Sequence, residues 1–122
     1  MKKKNLILIV DDEKEIRQLL KEFLEKNDYD VMVAEDGQQA LKLAAERVPD
    51  LLITDMLLPK EHGIEVMQSM KDKYFLPIIA ISGIYNQSEI KDRIPDIFVD
   101  GFFEKPLNLD EILHCVRSIL NG

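Results

Sequence analysis

The chain lacks the features that mark secreted, disulfide-bonded and membrane proteins. It holds a single cysteine, Cys115, which excludes an internal disulfide and fits a reducing compartment. Its apolar runs are much shorter than a membrane span, and the basic start Met1–Lys4 precedes too short an apolar segment for a secretory signal. There is no low-complexity tract either. We therefore expect one cytoplasmic domain that covers residues 1–122.

Positive charge is scarce as well. Lysine and arginine number 16 against 23 aspartate and glutamate residues, which gives a formal net charge of −7. Binding to nucleic acid generally requires basic surface that neutralises phosphates. We expect no direct nucleic-acid binding by this domain and no membrane association.

What the chain does contain is a series of short apolar runs that end in polar residues. The run Asn5–Val10 and the run Leu51–Thr54 are typical of strands buried on both faces of a parallel sheet. Two later runs end in the same way. The polar residues at these ends are Asp11, Asp12, Asp55, Ser82 and Lys105. Because ligands bind beyond the carboxyl ends of such strands, we expect these side chains to share one edge of the sheet.

Helical patterns fill the segments between the runs. Apolar residues that include Leu19 recur at helical spacing from about Glu13 to Lys26, and Asp36 with Gln39 indicates a capping box. Asn108 with Glu111 indicates another, and a short helix is predicted at about 88–94, before Pro95. This alternation predicts an α/β fold, a doubly wound five-stranded parallel sheet with about five helices on both faces.

The clustered acids predict a metal site. Three carboxylates at neighbouring strand ends repel one another, so a hard cation is needed to hold them together. Magnesium takes oxygen ligands and completes its shell with water and phosphate, with Mn²⁺ as an alternative. Together with a lysine and a serine, such a site is suited to phosphoryl transfer without a nucleotide-binding loop.

Four motifs in this order resemble the receiver domain of bacterial two-component response regulators, over essentially the whole chain. They are Val10-Asp11-Asp12-Glu13, Asp55-Met56-Leu57-Leu58-Pro59 with Gly63 beyond, Ile81-Ser82-Gly83 and Lys105-Pro106. The resemblance implies a flavodoxin-like sheet with strand order 2-1-3-4-5. It also implies a phosphoacceptor and not an enzyme in the usual sense, which receives its phosphoryl group from a histidine kinase or histidine phosphotransfer protein.

The resemblance assigns roles to single residues. Asp55 is the phosphoacceptor, and Lys105 and Ser82 contact the phosphate. Magnesium is bound directly by Asp12 and Asp55, through water by Asp11, and by the backbone carbonyl of Leu57.

The resemblance also implies how the domain switches. Ser82 moves toward the phosphate and Phe102 follows, which alters the surface formed by the last two helices and the last strand. Leu57 and Ile84 occupy the positions that tune hydrolysis, and both are apolar, so we expect slow phosphate loss. The output is a downstream protein target or a fused effector. The chain is either a stand-alone receiver or a fragment of a longer regulator.

Two other functions and one structural role compete with this interpretation. An aspartyl-phosphate phosphatase generally needs an acid two residues after its nucleophile, where this chain has Leu57. A flavin-binding module needs a phosphate loop after the first strand, where Asp11, Asp12 and Glu13 would repel phosphate. Asp12 also has Glu15 three residues on, and the pair could simply be a capping box.

Overall fold

A computed structural model describes residues 3–56, 63–83 and 99–121 of the chain. Within these residues it contains five strands and four helices. In chain order they are β1 (Leu6–Val10), α1 (Lys14–Lys26), β2 (Asp30–Ala34), α2 (Gly37–Glu46), β3 (Leu51–Asp55), α3 (Gly63–Tyr74), β4 (Ile78–Ser82), β5 (Gly101–Glu104) and α4 (Leu109–Asn121). Among them, no helix is both long enough and apolar enough to cross a bilayer.

The five strands form one parallel sheet in the order β2-β1-β3-β4-β5, as predicted. Strands β1, β3 and β4 are buried along their whole length because helices cover both faces of the sheet. β1 lies between β2 and β3, and β4 lies between β3 and β5. All carboxyl ends therefore meet at one edge, with β1, β3 and β4 at its centre.

Each face of the sheet has its own apolar core. Successive side chains of a strand point to opposite faces, so Leu8 packs beneath α2 and α3, whereas Ile7 and Ile9 pack beneath α1 and α4. Met67 and Met70 of α3 are fully buried in the first core. The doubly wound arrangement that the alternating pattern predicts is thus confirmed.

The helix starts confirm part of the capping predictions. Asp36 accepts a hydrogen bond from the Gln39 N–H at 2.8 Å, and Asn108 accepts one from the Glu111 N–H at 3.1 Å. The Gln39 side chain reaches Glu35 N, one residue before the cap. The capping box of Asp12 with Glu15 is wrong, because α1 is capped by Glu13, which makes no side-chain capping bond.

Several finer predictions were also wrong or lie outside the described residues. Leu19 is 43% exposed, since it lies at the edge of the apolar stripe of α1 and not at its centre. α3 runs to Tyr74 and not to about Asp72, and Ser82 is the last residue of β4 and does not follow it. The helix predicted at about 88–94 falls outside the described residues, so four helices are described where about five were expected.

Two aspartates hold neighbouring strands together at the opposite edge. Asp50 accepts from Leu6 N at 2.7 Å and donates its own N–H to Leu6 O at 2.7 Å. Asp100 makes the same pair of bonds with Ile78, at 2.8 and 2.7 Å. Each aspartate satisfies a backbone donor at the start of a central strand and extends the ladder by one residue.

Candidate functional site

The predicted site residues lie at the carboxyl edge of the sheet because each comes at or just after the end of a strand. Asp55 ends β3, and Ser82 ends β4, the next strand in the sheet. Asp11 follows β1 on the other side of β3, and Lys105 follows β5. The structure therefore surrounds Asp55 with residues from three different strand ends.

Lys105 connects these strand ends through its ammonium group. Its Nζ atom lies 3.0 Å from Asp55 Oδ2, 3.0 Å from Asp11 Oδ2 and 2.7 Å from Glu13 Oε1. Burial lowers the pKa of Lys105, but hydrogen bonds to Glu13, Asp55 and Asp11 outweigh burial and raise it above its usual value. The lysine is therefore charged at any physiological pH.

Asp11 is fully buried and only partly satisfied. Its Oδ1 atom accepts a hydrogen bond from Glu13 N at 2.8 Å, whereas Oδ2 contacts the Lys105 ammonium at 3.0 Å and accepts no other hydrogen bond from the described residues. Burial is the main cause that raises the pKa of Asp11 to about 6; the Glu13 N–H and Lys105 oppose it, and the charge of Asp55 adds to it. A carboxylate in this state would gain from an additional cation.

The acids form a group that fits a hard metal ion. Carboxylate oxygens of Asp11, Asp12, Glu13 and Asp55 lie within 4.8 Å of one another, and the first and last of these residues are buried. The Lys105 ammonium contacts three of these four acids and supplies a single positive charge, so the cluster keeps a net negative charge. Oxygen donors of this kind suit Mg²⁺ or Mn²⁺, and the underbonded Asp11 Oδ2 is consistent with a cation at this place.

Two residues of the site were missed by the sequence analysis. Glu13 contacts Lys105. The sequence feature that could have indicated its role is that it is the third consecutive acid after β1. Arg17, one turn later on α1, donates from Nη1 to the backbone carbonyl of Asp11 at 2.7 Å. Its Nη2 atom also lies 3.9 Å from Glu35. Arg17 thereby ties α1 to the loop that carries the acids.

The predicted switch residues lie on adjacent strands. Ser82 is buried, and its carbonyl accepts the Lys105 N–H at 2.9 Å, so the ends of β4 and β5 are directly bonded. Phe102 is half-buried on β5, opposite Ala80 of β4, and packs against the core beneath α2 and α3. It also lines a surface cleft of about 360 Å³ between β5 and the start of α4. Leu57 and Ile84 lie outside the described residues.

Known proteins resemble this chain over nearly its whole length. The family model described as response regulator receiver domain matches residues 7–117. The transcriptional regulatory protein CpxR of Escherichia coli K12 is 37% identical over 95% of the chain and 49% of its own length. The alkaline phosphatase synthesis transcriptional regulatory protein PhoP of Bacillus subtilis is 38% identical over 93% of the chain and 48% of its own length. The chain thus spans about half the length of these curated relatives.

Solved structures agree with the fold. The chemotaxis response regulator CheY4 of Vibrio cholerae superposes with a TM-score of 0.83 and 29% identity, over 97% of this chain and 100% of that one. The signal receiver domain of an HD domain-containing protein from Pseudomonas fluorescens Pf-5 gives 0.90 and 28%, over 98% and 96%. These matches favour a receiver over the phosphatase and flavin-binding alternatives.

Proposed function

The chain belongs to the response regulator receiver domain family, and we propose on that premise that Asp55 accepts a phosphoryl group in a Mg²⁺-dependent reaction. The donor is a histidine kinase or a histidine phosphotransfer protein. The observation that carries the proposal is the contact of Lys105 Nζ with Asp55 Oδ2 at 3.0 Å, inside a cluster of carboxylates at the sheet edge. The domain acts as a stoichiometric acceptor that promotes its own phosphorylation, and not as an enzyme with turnover on a separate substrate.

The transfer uses the groups around Asp55. A carboxylate oxygen of Asp55 attacks phosphorus, the bond between phosphorus and the donor's histidine nitrogen breaks, and its electron pair leaves with the histidine. Lys105 then donates to a phosphoryl oxygen, and the Ser82 hydroxyl donates to another. Because charge spreads over the phosphoryl oxygens during transfer, the site acts mainly by positioning and neutralising it.

Three aspartates of the same cluster would hold the metal. Asp12 and Asp55 would bind Mg²⁺ directly and Asp11 through water, and the Leu57 carbonyl would complete the share of the protein. When bound, the ion neutralises the carboxylates and a phosphoryl oxygen. Mn²⁺ can replace it at such an oxygen site.

We propose that Ser82 and Phe102 transmit the conformational change from the phosphorylation site to the output surface. These residues lie on adjacent strands, and the end of β4 is bonded to Lys105 N. Movement of Ser82 toward the phosphate would free space for Phe102, a residue that also lines the cleft between β5 and α4. The output surface then comprises β5, α4 and the segment 88–98, of which the structure describes the first two elements.

The output itself is proposed by analogy with the relatives. CpxR and PhoP are named as transcriptional regulators, and each is about twice the length of this chain. We propose that this receiver controls a protein target or a fused effector domain in the cytoplasm and does not contact nucleic acid itself. The apolar residues Leu57 and Ile84 offer no group to orient a water, so we expect slow phosphate loss.

Labelling with acetyl phosphate tests the proposal directly. Intact mass should show one added phosphoryl group in the presence of Mg²⁺, and none after Asp55→Asn or in excess chelator. Asp110→Asn, at an exposed position on α4, is the matched control and should label like the wild type. Equal labelling of the Asp55→Asn variant, or labelling that is undiminished by chelator, would contradict the proposal.

A further inference from the structure

We propose that Glu13 is a positioning residue that holds the Lys105 ammonium before transfer and gives up its place to a phosphoryl oxygen. The observation is the 2.7 Å contact between Lys105 Nζ and Glu13 Oε1, the shortest of the three contacts that this ammonium makes with described acids. The inference rests on the proposed phosphorylation of Asp55.

The donor count of lysine requires an exchange. An ammonium has three N–H donors and no acceptor, and here three carboxylates surround it. A phosphoryl group on Asp55 takes over the contact that the lysine makes with the Asp55 carboxylate, so Lys105 can direct further donors to the phosphate only if its contact with Asp11 or with Glu13 is released. The identity of that partner decides how much the exchange costs.

Exposure identifies Glu13 as the partner that leaves. Its side chain is 55% exposed, whereas those of Asp11 and Asp55 are 0% and 7% exposed. A carboxylate that returns to water regains its hydration, so breaking this ion pair costs little. Breaking the contact to Asp11 would leave a buried charge without compensation, which is far more costly.

We expect a change of the Glu13 side chain to leave the fold intact. Glu13 stands at the N-cap of α1 but makes no side-chain capping bond, and its interactions with the loop use backbone atoms: its N–H donates to Asp11 Oδ1, and its carbonyl accepts from Arg17 N. Glu13→Gln keeps the shape of the side chain and removes its charge. The variant therefore tests the ion pair itself.

The experiment measures beryllofluoride binding at saturating Mg²⁺ by calorimetry, since this complex takes the place of the phosphoryl group on an aspartate. Glu13→Gln should bind it about two- to fivefold more tightly than the wild type, because an ion pair of this exposure opposes the exchange by only a small free energy. Glu15→Gln is the matched control. Glu15 is an exposed acid two residues further on, and its loss should change the affinity by less than about twofold.

Other outcomes would overturn the proposal. Unchanged or weaker beryllofluoride binding by Glu13→Gln, with a wild type that binds normally, would show that Glu13 does not compete for Lys105. Binding of Mg²⁺ alone provides a second readout. A loss of affinity in Glu13→Gln that exceeds the loss in Glu15→Gln by about tenfold would make Glu13 a metal ligand instead. A wild type that binds no beryllofluoride would contradict the proposed function itself.

Discussion

The Asp11 carboxyl group makes the metal-free protein sensitive to pH. Burial raises its pKa from 3.8 to about 6, so between these values the folded chain binds more protons than the unfolded chain. The free energy of unfolding therefore falls as pH rises through this window and levels off above it. Burial of the Asp11 carboxylate lowers the stability of the metal-free protein. A bound cation would offset that cost by neutralising the carboxylate.

Replacing Asp11 by asparagine should remove this pH dependence. Asparagine keeps an oxygen that can accept the Glu13 N–H bond seen at 2.8 Å. In chelator near pH 7, the free energy of unfolding of Asp11→Asn, measured in urea, should exceed that of the wild type by about 1–2 kcal/mol. Near pH 4 the two proteins should have similar free energies of unfolding. Asp28→Asn, at an exposed turn, is the control. A variant that is less stable than the wild type near pH 7 would show that the Lys105 ion pair outweighs burial.

The Lys105 contacts show which part of the site was predictable from sequence. Lys105 and Asp55 are 50 residues apart in the chain, yet their proximity was expected, since the ends of parallel strands share an edge. Glu13 and Arg17 were missed because their roles depend on where α1 begins and which way its first turn faces. Strand-end motifs do not contain that information.

The close approach between β5 and α4 explains why residue 101 is a glycine. A Cβ atom on Gly101 would lie 2.7 Å from Cys115 Sγ, well inside van der Waals contact, and 3.5 Å from Ile79 Cγ1. Cysteine in a helix has few allowed rotamers, so the sulfur cannot simply swing away. Gly101 thus permits α4 to pack directly on the edge strand.

The pair Gly101 and Cys115 should behave as a coupled unit. Gly101→Ala should lower the free energy of unfolding by about 1–3 kcal/mol through overpacking. Cys115→Ala removes the sulfur and should restore much of that loss in the double variant, as a double-mutant cycle in urea would show. Gly83→Ala serves as the control, because its nearest neighbour would be Lys105 Cδ at an ordinary 3.6 Å. Purely additive effects would exclude the clash.

Element boundaries were predictable where local chemistry sets them. The side chains of Asp36 and Asn108 cap their helices as the patterns indicated. The roles of Asp50 and Asp100 were not foreseen, because each bonds a neighbouring strand and not its own. The exposure of Leu19 was not foreseen either, since it depends on how far α1 is rotated about its axis on the sheet.

At the scale of the whole molecule, the alternation of strands and helices predicted the parallel doubly wound fold from sequence patterning. The strand order β2-β1-β3-β4-β5 rested on the family resemblance and is confirmed by the structure. Alternation alone does not choose an order, because several orders bury the same apolar faces. The order matters for function, since it puts β3 between β1 and β4 and so centres Asp55 among its partners.

The position of the site in this sheet predicts where a phosphorylation signal should travel. β4 and β5 are bonded side by side up to Ser82 and Glu104, and the Ser82 carbonyl also binds Lys105 N. In contrast, α2 follows the edge strand β2, which is separated from β3 by β1. A change at Lys105 and Ser82 therefore acts first on the β4–β5 side of the sheet.

Amide hydrogen exchange with and without beryllofluoride should reveal this direction. We expect altered protection at the end of β4, along β5 and at the start of α4, because the hydrogen bonds there join directly to Ser82 and Lys105, which are proposed to contact the phosphoryl group. Phe102→Ala should reduce the change in α4 while leaving beryllofluoride affinity close to that of the wild type, since Phe102 is one of the residues that line the cleft near α4, and its side chain packs against an apolar core. Helix α2 is the internal control. Changes confined to α2, or a full response of α4 in Phe102→Ala, would show that the signal does not pass through β5.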